Sequence, residues 1–323
     1  MYVIDYIPEG EINGNGHYRL QDEWLKEVLK NQNHKILTVT LSNFILVLMR
    51  ICKHNIPIFM PNCSLYDRFS ILDTLLLLAA PLQKKIVIVH TVSKINILNK
   101  LFCCMVKNCQ IYVYSDTLRI YLNNCGLSAT NEVRLAQYPN ANIINDLSPI
   151  IDLPAGLKIR EQRSLAIAWG NAAGKIDERK LESFLEASTV DNIIIVGENN
   201  TSLAAIAKKH PLAVTIRGGA TDLELAGLLS EASINLMLFP DYYNFYKSKL
   251  AASGVYLTAL KFGVPSLISG DFGGLKNEML SDGSSAFAKS NSDLKRIAGN
   301  AKLKLINTDP FVREKINLNF INS

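Results

Sequence analysis

Ten short apolar runs, each separated from the next by a stretch with helical spacing, constrain this chain more than any other feature. The first half holds VIDYI, ILTVT (36–40), IPIFMP (56–61), KIVIVH (85–90) and IYVYS (111–115). Between the first two, a Gly-bearing loop leads into DEWLKEVLKN, which places Trp24, Leu25, Val28 and Leu29 on one helical face. A run that is apolar on successive positions predicts a strand covered on both sides, and strands alternating with helices build βαβ units of a parallel sheet. The second half repeats the plan with SLAIAWG (164–170), NIIIVGE (192–198), AVTIRGG (213–219), INLMLFP (234–240) and PSLIS (265–269). Several of these end in Gly or Gly-Gly, including Gly218 and Gly219, where backbone can turn tightly or approach a ligand at the carboxyl edge of the sheet.

Between the two series, YPNANIINDLSPIIDLPAG combines prolines with Asn and Asp, which disfavour helix interiors and predict an interdomain linker. A chain of 323 residues suits two domains. The expected layout is an N-terminal lobe at 1–140, a linker at 141–160 and a C-terminal lobe at 161–323, whose last helix is a candidate to pack back on the first lobe. The expected fold class is α/β, with two doubly wound Rossmann-like lobes facing a central cleft.

Composition excludes several classes. A hydrophobic share of 48% with 20% charged residues belongs to a globular protein, and a dispersed net charge of +5 is too mild to imply nucleic acid. The six cysteines all lie within the first 125 residues, with no CxxC pair and no clustered histidine, so no metal site is expected and buried thiols in a reducing compartment are. MYVIDYIPEG lacks the pattern of a signal peptide, and FILVLM (44–49) and LLLLAAPL (75–82) fall short of the roughly 20 residues needed to span a bilayer. A cytoplasmic protein is expected, peripheral at the inner face of a membrane if it meets one.

The stretch SGVYLTALKFGVPSLIS (253–269) predicts a helix that opens on Ser-Gly. Unpaired N–H groups and the positive dipole end would face outward at Ser253, Gly254 and Val255, which suits a pyrophosphate. An ordinary Ser N-cap explains the same serine equally well. Lys247 and Lys249, just before it, add positive charge. GNAAGK (170–175) is one residue short of a P-loop and has Ile176 where a magnesium-holding Ser or Thr would stand. INGNGHY (12–18) offers Gly14, Asn15 and Gly16 as a close-approach loop, and a plain Asn-Gly turn is an equal alternative. His90 at the end of KIVIVH is a candidate proton acceptor or sugar-hydroxyl partner, against a structural role. Asp116 is a second candidate, against N-capping of the helix that follows it. SKINILNKLFCCMVKN (93–108) mixes Lys94, Lys100 and Lys107 with apolar residues, which fits either a core helix or one seated on anionic lipid.

Together, SGVYLTALKFGVPSLISGDFGGL and the preceding TIRGGATDLELAGLLSEASINLMLFP resemble the C-terminal lobe of GT-B glycosyltransferases, the family-4 type in particular. The strand before INGNGHY, the strand ending in His90, and YSDTLRIYLNNCGLSATNEVRLAQYPN give a weaker match to the family's N-terminal lobe. The resemblance implies transfer of a sugar from a UDP- or GDP-type nucleotide-sugar donor, a substrate rather than a cofactor. The implied acceptor is a saccharide or lipid-linked saccharide in cell-surface polysaccharide synthesis, with an anionic membrane surface as a further candidate partner. It puts Asn171 at a donor-contacting Arg position and Lys175 at a donor-phosphate Lys. It also departs from the family: Thr258 and Leu250 stand where two donor-site glutamates are common, so Thr258 would meet the ribose with a neutral hydroxyl. The missing carboxylates leave two alternatives open, a non-catalytic GT-B subunit partnering another glycosyltransferase and a nucleotide-sugar epimerase.

Overall fold

The computed structural model describes residues 1–5, 25, 28–30, 33–40, 42–54, 56–65, 69–93, 102–103, 105–127, 131–136, 165–197, 201–243, 245–281, 285–299 and 318. Gly14, Asn15 and Gly16, the 141–160 linker, and Lys94 and Lys100 lie outside them. The chain divides into two units. The first comprises Met1–Pro139 with Tyr246–Ala252 and Phe311–Ser323, and the second comprises Asn140–Phe245 with Ser253–Pro310.

In the first unit the order is β1 (Tyr2–Asp5), β2 (Lys35–Thr38), α1 (Phe44–Lys53), β3 (Ile58–Leu65), α2 (Phe69–Leu78), β4 (Lys85–Ser93), β5 (Cys109–Val113), α3 (Asp116–Asn124) and β6 (Glu132–Leu135). These strands form one parallel sheet in the order β2-β1-β3-β4-β5-β6. All five residues of β5 are buried, as are the first five of β4, which is what apolar runs covered on both faces require. Pro61 lies inside β3 and lacks the N–H that a ladder needs; the register with β4 shifts on either side of Cys63. The Pro61 carbonyl accepts instead from His90 Nε2 at 3.1 Å.

The second unit contains β7 (Leu165–Trp169), α4 (Gly170–Ala173), α5 (Glu178–Ala187), β8 (Asn192–Val196), α6 (Thr201–Lys209), β9 (Val214–Arg217), α7 (Asp222–Glu231) and β10 (Ile234–Leu238). After α8 (Phe245–Ser248) and β11 (Lys249–Ala251) come α9 (Gly254–Lys261), β12 (Ser266–Ser269), α10 (Leu275–Ser281), β13 (Ser285–Ala288) and α11 (Asn291–Gly299). The sheet is again parallel, in the order β13-β12-β10-β7-β8-β9. Three of its helices start on side-chain caps: Asp177 for α5, Ser253 for α9, and a reciprocal Thr221–Glu224 capping box for α7.

β11 belongs to neither series. It pairs antiparallel with the end of β4 in the first unit, Lys249 opposite Ser93 and Ala251 opposite Thr91. β5 accompanies β4 only as far as Val89, and β3 occupies the other side to Val92, so β11 fills the place that β5 vacates.

Candidate functional site

Counted from its own first strand, the second sheet runs 3-2-1-4-5-6, and its winding reverses between β7 and β10. Segments leaving two adjacent strands on opposite faces part there, which opens a crevice at the strands' carboxyl ends. An open pocket of about 590 Å³ occupies this place, lined by residues 174–179 after β7 and 240–243 after β10.

Three links tie the two walls. The Asp177 N–H donates to the Leu238 carbonyl at 2.7 Å. Lys180, buried on α5, donates to the Phe239 carbonyl at 2.6 Å and pairs with Asp241 at 2.7 Å. Lys175 Nζ donates to the Tyr243 hydroxyl at 2.9 Å and sits 4.6 Å from the ring centroid. Tyr243 in turn packs edge-on against Phe239, which stacks on Phe272, so this wall has an aromatic backing. The carboxylates are partly committed: Asp177 caps α5 by accepting from the Lys180 N–H at 3.0 Å, and Asp241 meets Lys180. Lys175 is the half-buried cation held at the pocket's mouth by the wall opposite.

A second contact lies at the other end of α4. Gly170 has φ of +56°, the left-handed region that strains a side chain, and a Cβ there would stand 3.6 Å from Val255 Cγ2. The Gly170 loop thus abuts the start of α9. Ser253 Oγ accepts from the Tyr256 N–H at 3.4 Å, so the serine acts as an N-cap, itself buried, with Gly254 as the first helical residue. Thr258 is fully buried, and its hydroxyl has no hydrogen-bond partner.

The other sequence candidates are scattered. Asn171 lies in α4 and Lys247 in α8, their side chains outside the described residues. Lys249 is the half-buried first residue of β11. Gly218 and Gly219 are exposed at the end of edge strand β9, two strands from the crevice, with open space where a Cβ would stand. In the first unit, His90 lies within β4 rather than at its end, because the strand continues to Ser93; its ring meets Tyr114 edge-on at 5.0 Å. The bond to Pro61 keeps a proton on Nε2. Asp116 is the first residue of α3, 2.6 Å from Arg119, and the cap expected of it is Ser115, whose Oγ accepts from the Leu118 N–H.

Sequence reading missed Lys180, Asp241 and Tyr243. Lys180 carried a signal: it stands four residues before Phe184, on the apolar stripe of its helix, where a solvated lysine would not be placed.

No family model matches the sequence, and no curated protein matches it. Solved structures do match. HepE from Anabaena in complex with UDP aligns at a TM-score of 0.56 with 10% identity, over 93% of this chain and 89% of its own. Sucrose-phosphate synthase from Thermosynechococcus elongatus gives 0.55 and 13%, over 94% and 90%. UDP-GlcNAc 2-epimerase from Neisseria meningitidis bound to UDP-GlcNAc gives 0.57 and 10%, over 95% of both chains. The neighbours are thus GT-B glycosyltransferases and UDP-GlcNAc 2-epimerases, and the two parallel-sheet Rossmann-like domains of this chain match their fold.

Proposed function

We propose that this chain is a glycosyltransferase that moves a sugar from a UDP-type donor to a saccharide or lipid-linked saccharide acceptor in cell-surface polysaccharide synthesis. The observation that carries this reading is the pinning of Lys175 by Tyr243 at the switch-point crevice of the second unit. In this reading the donor diphosphate lies along α4, between Lys175 and the N–H groups at the start of α9. Four helical residues advance about 6 Å, which is on the scale of a diphosphate. During transfer, the bond from the anomeric carbon to the β-phosphate oxygen breaks. The acceptor oxygen bonds the anomeric carbon, and its proton passes to the leaving diphosphate or to water. The negative charge that grows on the leaving diphosphate is met by Lys175 and backbone N–H groups, with no metal in the step. Thr258, whose buried hydroxyl lacks a partner, replaces the carboxylate common in family members. Asp116 is engaged by Arg119, so His90 is the stronger acceptor-side candidate.

The neighbours solved with UDP, UDP-glucose and UDP-GlcNAc favour a uridine donor over a guanosine one. The match to UDP-GlcNAc 2-epimerases supports a second reading, in which the same crevice holds a sugar whose C2 configuration is inverted. Calorimetry with UDP and GDP, followed by NMR of UDP-sugars with and without saccharide acceptors, tests both. UDP release that depends on an acceptor supports transfer, whereas C2 inversion without an acceptor replaces it with epimerisation. Absence of binding to either nucleotide would leave the chain a non-catalytic subunit.

A further inference from the structure

The first unit carries a surface that the donor reading does not use. On α1, Val47 and Ile51 are buried against the sheet, yet the opposite face also carries large apolar side chains: Ile45 is 69% exposed, Leu46 62% and Met49 63%. Arg50 and Lys53 are exposed in the same helix's last turn. The neighbouring helix α2 adds exposed Ile71 and Leu75, and Leu82 follows in the turn after it. Right-handed crossovers from β2 to β3 and from β3 to β4 put α1 and α2 on one side of the sheet. Gln83 Nε2, donating to the Ile51 and His54 carbonyls, fixes the end of α1 against the segment after α2. An exposed apolar group this dense calls for a partner.

The charges around it say which. No Asp or Glu occurs between Glu27 and Asp67. Among the described residues from 28 to 115 the only carboxylate is Asp73, and it is buried. Lys30, Lys35, Arg50, Lys53 and Lys107 are all exposed. A second copy of this chain docked face to face would bring Arg50 and Lys53 against a like patch that holds no carboxylate among the described residues. An anionic bilayer takes both halves of the pattern, apolar side chains into the acyl boundary and cations at the headgroups.

We propose that the outward face of α1, continued by Ile71 and Leu75 of α2, seats this protein on a negatively charged lipid surface, with Ile45, Leu46 and Met49 inserted and Arg50 and Lys53 on the headgroups. The site is independent of the donor crevice, so UDP affinity measured on the same samples reports on that reading separately.

The test is co-sedimentation of the full chain with vesicles of phosphatidylcholine alone and of phosphatidylcholine with phosphatidylglycerol. Binding is expected only to the anionic vesicles and is expected to weaken with salt. Arg50→Gln with Lys53→Gln should weaken it by roughly thirtyfold. The triple variant Ile45→Gln, Leu46→Gln, Met49→Gln should weaken it by about tenfold or more. Neither should shift the melting temperature, since the altered side chains are exposed. The Met49→Trp variant should show a blue-shifted emission on anionic vesicles, which adsorption by charge alone would not produce. Lys107→Gln should have a distinctly smaller effect than the pair on α1. Several outcomes overturn the proposal: no binding to anionic vesicles, binding that none of the α1 variants weakens, an emission from the Met49→Trp variant that stays unshifted on vesicles, or a concentration-dependent dimer in sedimentation velocity that the triple variant dissolves while vesicle binding persists.

Discussion

The two sheets obey one construction rule and turn at different places. The first runs 2-1-3-4-5-6, reversing after a single outward strand, whereas the second, counted from its own first strand, runs 3-2-1-4-5-6 and reverses after two. Both are doubly wound orders, in which a crevice opens where the winding reverses. In the second unit the described residues line that crevice, with Lys175, Lys180 and Tyr243 linking its walls. In the first, the reversal lies between β1 and β3, and the loop leaving β1 lies outside the described residues. What the described part of the first unit presents is an outer face, apolar and cationic on α1 and α2. The difference separates two kinds of surface: a strand-edge crevice lined by a lysine that a tyrosine holds, and a helix face that is apolar and cationic.

The largest expected effect tests whether backbone strain is concentrated at the crevice. Gly170→Val forces a β-branched residue to φ +56° beside Val255, and should cost about 2 to 3 kcal/mol. Gly126 in the first unit also has positive φ, but it has open space around it, so Gly126→Ala should cost only about 1 to 2 kcal/mol. Hydrogen exchange followed separately in β7 and β5 reads the two. Equal losses would mean that the Val255 contact adds nothing.

Next in size is nucleotide affinity. Lys175→Ala should weaken UDP binding by about 2 kcal/mol, and Tyr243→Phe by a smaller amount, because the ring stays while the lysine's acceptor goes. His90→Ala in the first unit should leave UDP affinity unchanged. Calorimetry that ranked His90→Ala above Lys175→Ala would erase the division of labour between the units.

Ser253→Ala removes the cap of α9 and should lower stability by about 1 kcal/mol in chemical denaturation. Rescue by Ser253→Asp is expected for stability but not for UDP affinity, since a carboxylate at this helix start would face the diphosphate. Full UDP affinity in the Asp variant would move the diphosphate away from α9.

The smallest effect concerns the Gly pair after β9. Neither glycine has positive φ, and each has room for a methyl group, so Gly218→Ala and Gly219→Ala should stay within about 0.5 kcal/mol of the parent in stability and leave UDP affinity alone. A lost affinity would extend the site two strands further along the sheet.

The strands that could be read in the sequence were those with apolar runs, among them the edge strands β2 and β9, which are largely unburied. β4, β5, β7, β8 and β10 are nearly continuous apolar runs, because burial leaves their positions no alternative. The strands that escaped were β6, β11 and β13. β6 and β13 lie at sheet edges, where EVRL and SAFA keep partly exposed residues, and the three residues of β11 are too few to show a period. His90 illustrates the same limit: the sequence places it at a strand end, but β4 continues to Ser93, paired with β3 as far as Val92 and with a segment more than 150 residues later. At the site, Lys175 was named only through the family resemblance, and Tyr243 was not named at all, because the bond joining them spans 68 residues.

The pairing of β11 with β4 also has a consequence for how the chain is made. During synthesis, everything needed for β1 to β6 has been polymerised by residue 135, yet the strand that pairs with Thr91–Ser93 beyond the end of β5 arrives only when Lys249–Ala251 has been added. At about 5 to 20 residues per second, the intervening 113 residues from Ala136 to Ser248 keep that edge waiting for roughly 6 to 23 s. An early-folding first unit therefore lacks its antiparallel strand throughout that interval, and a chain halted before Lys249 would leave the place of β11 to any extended segment nearby.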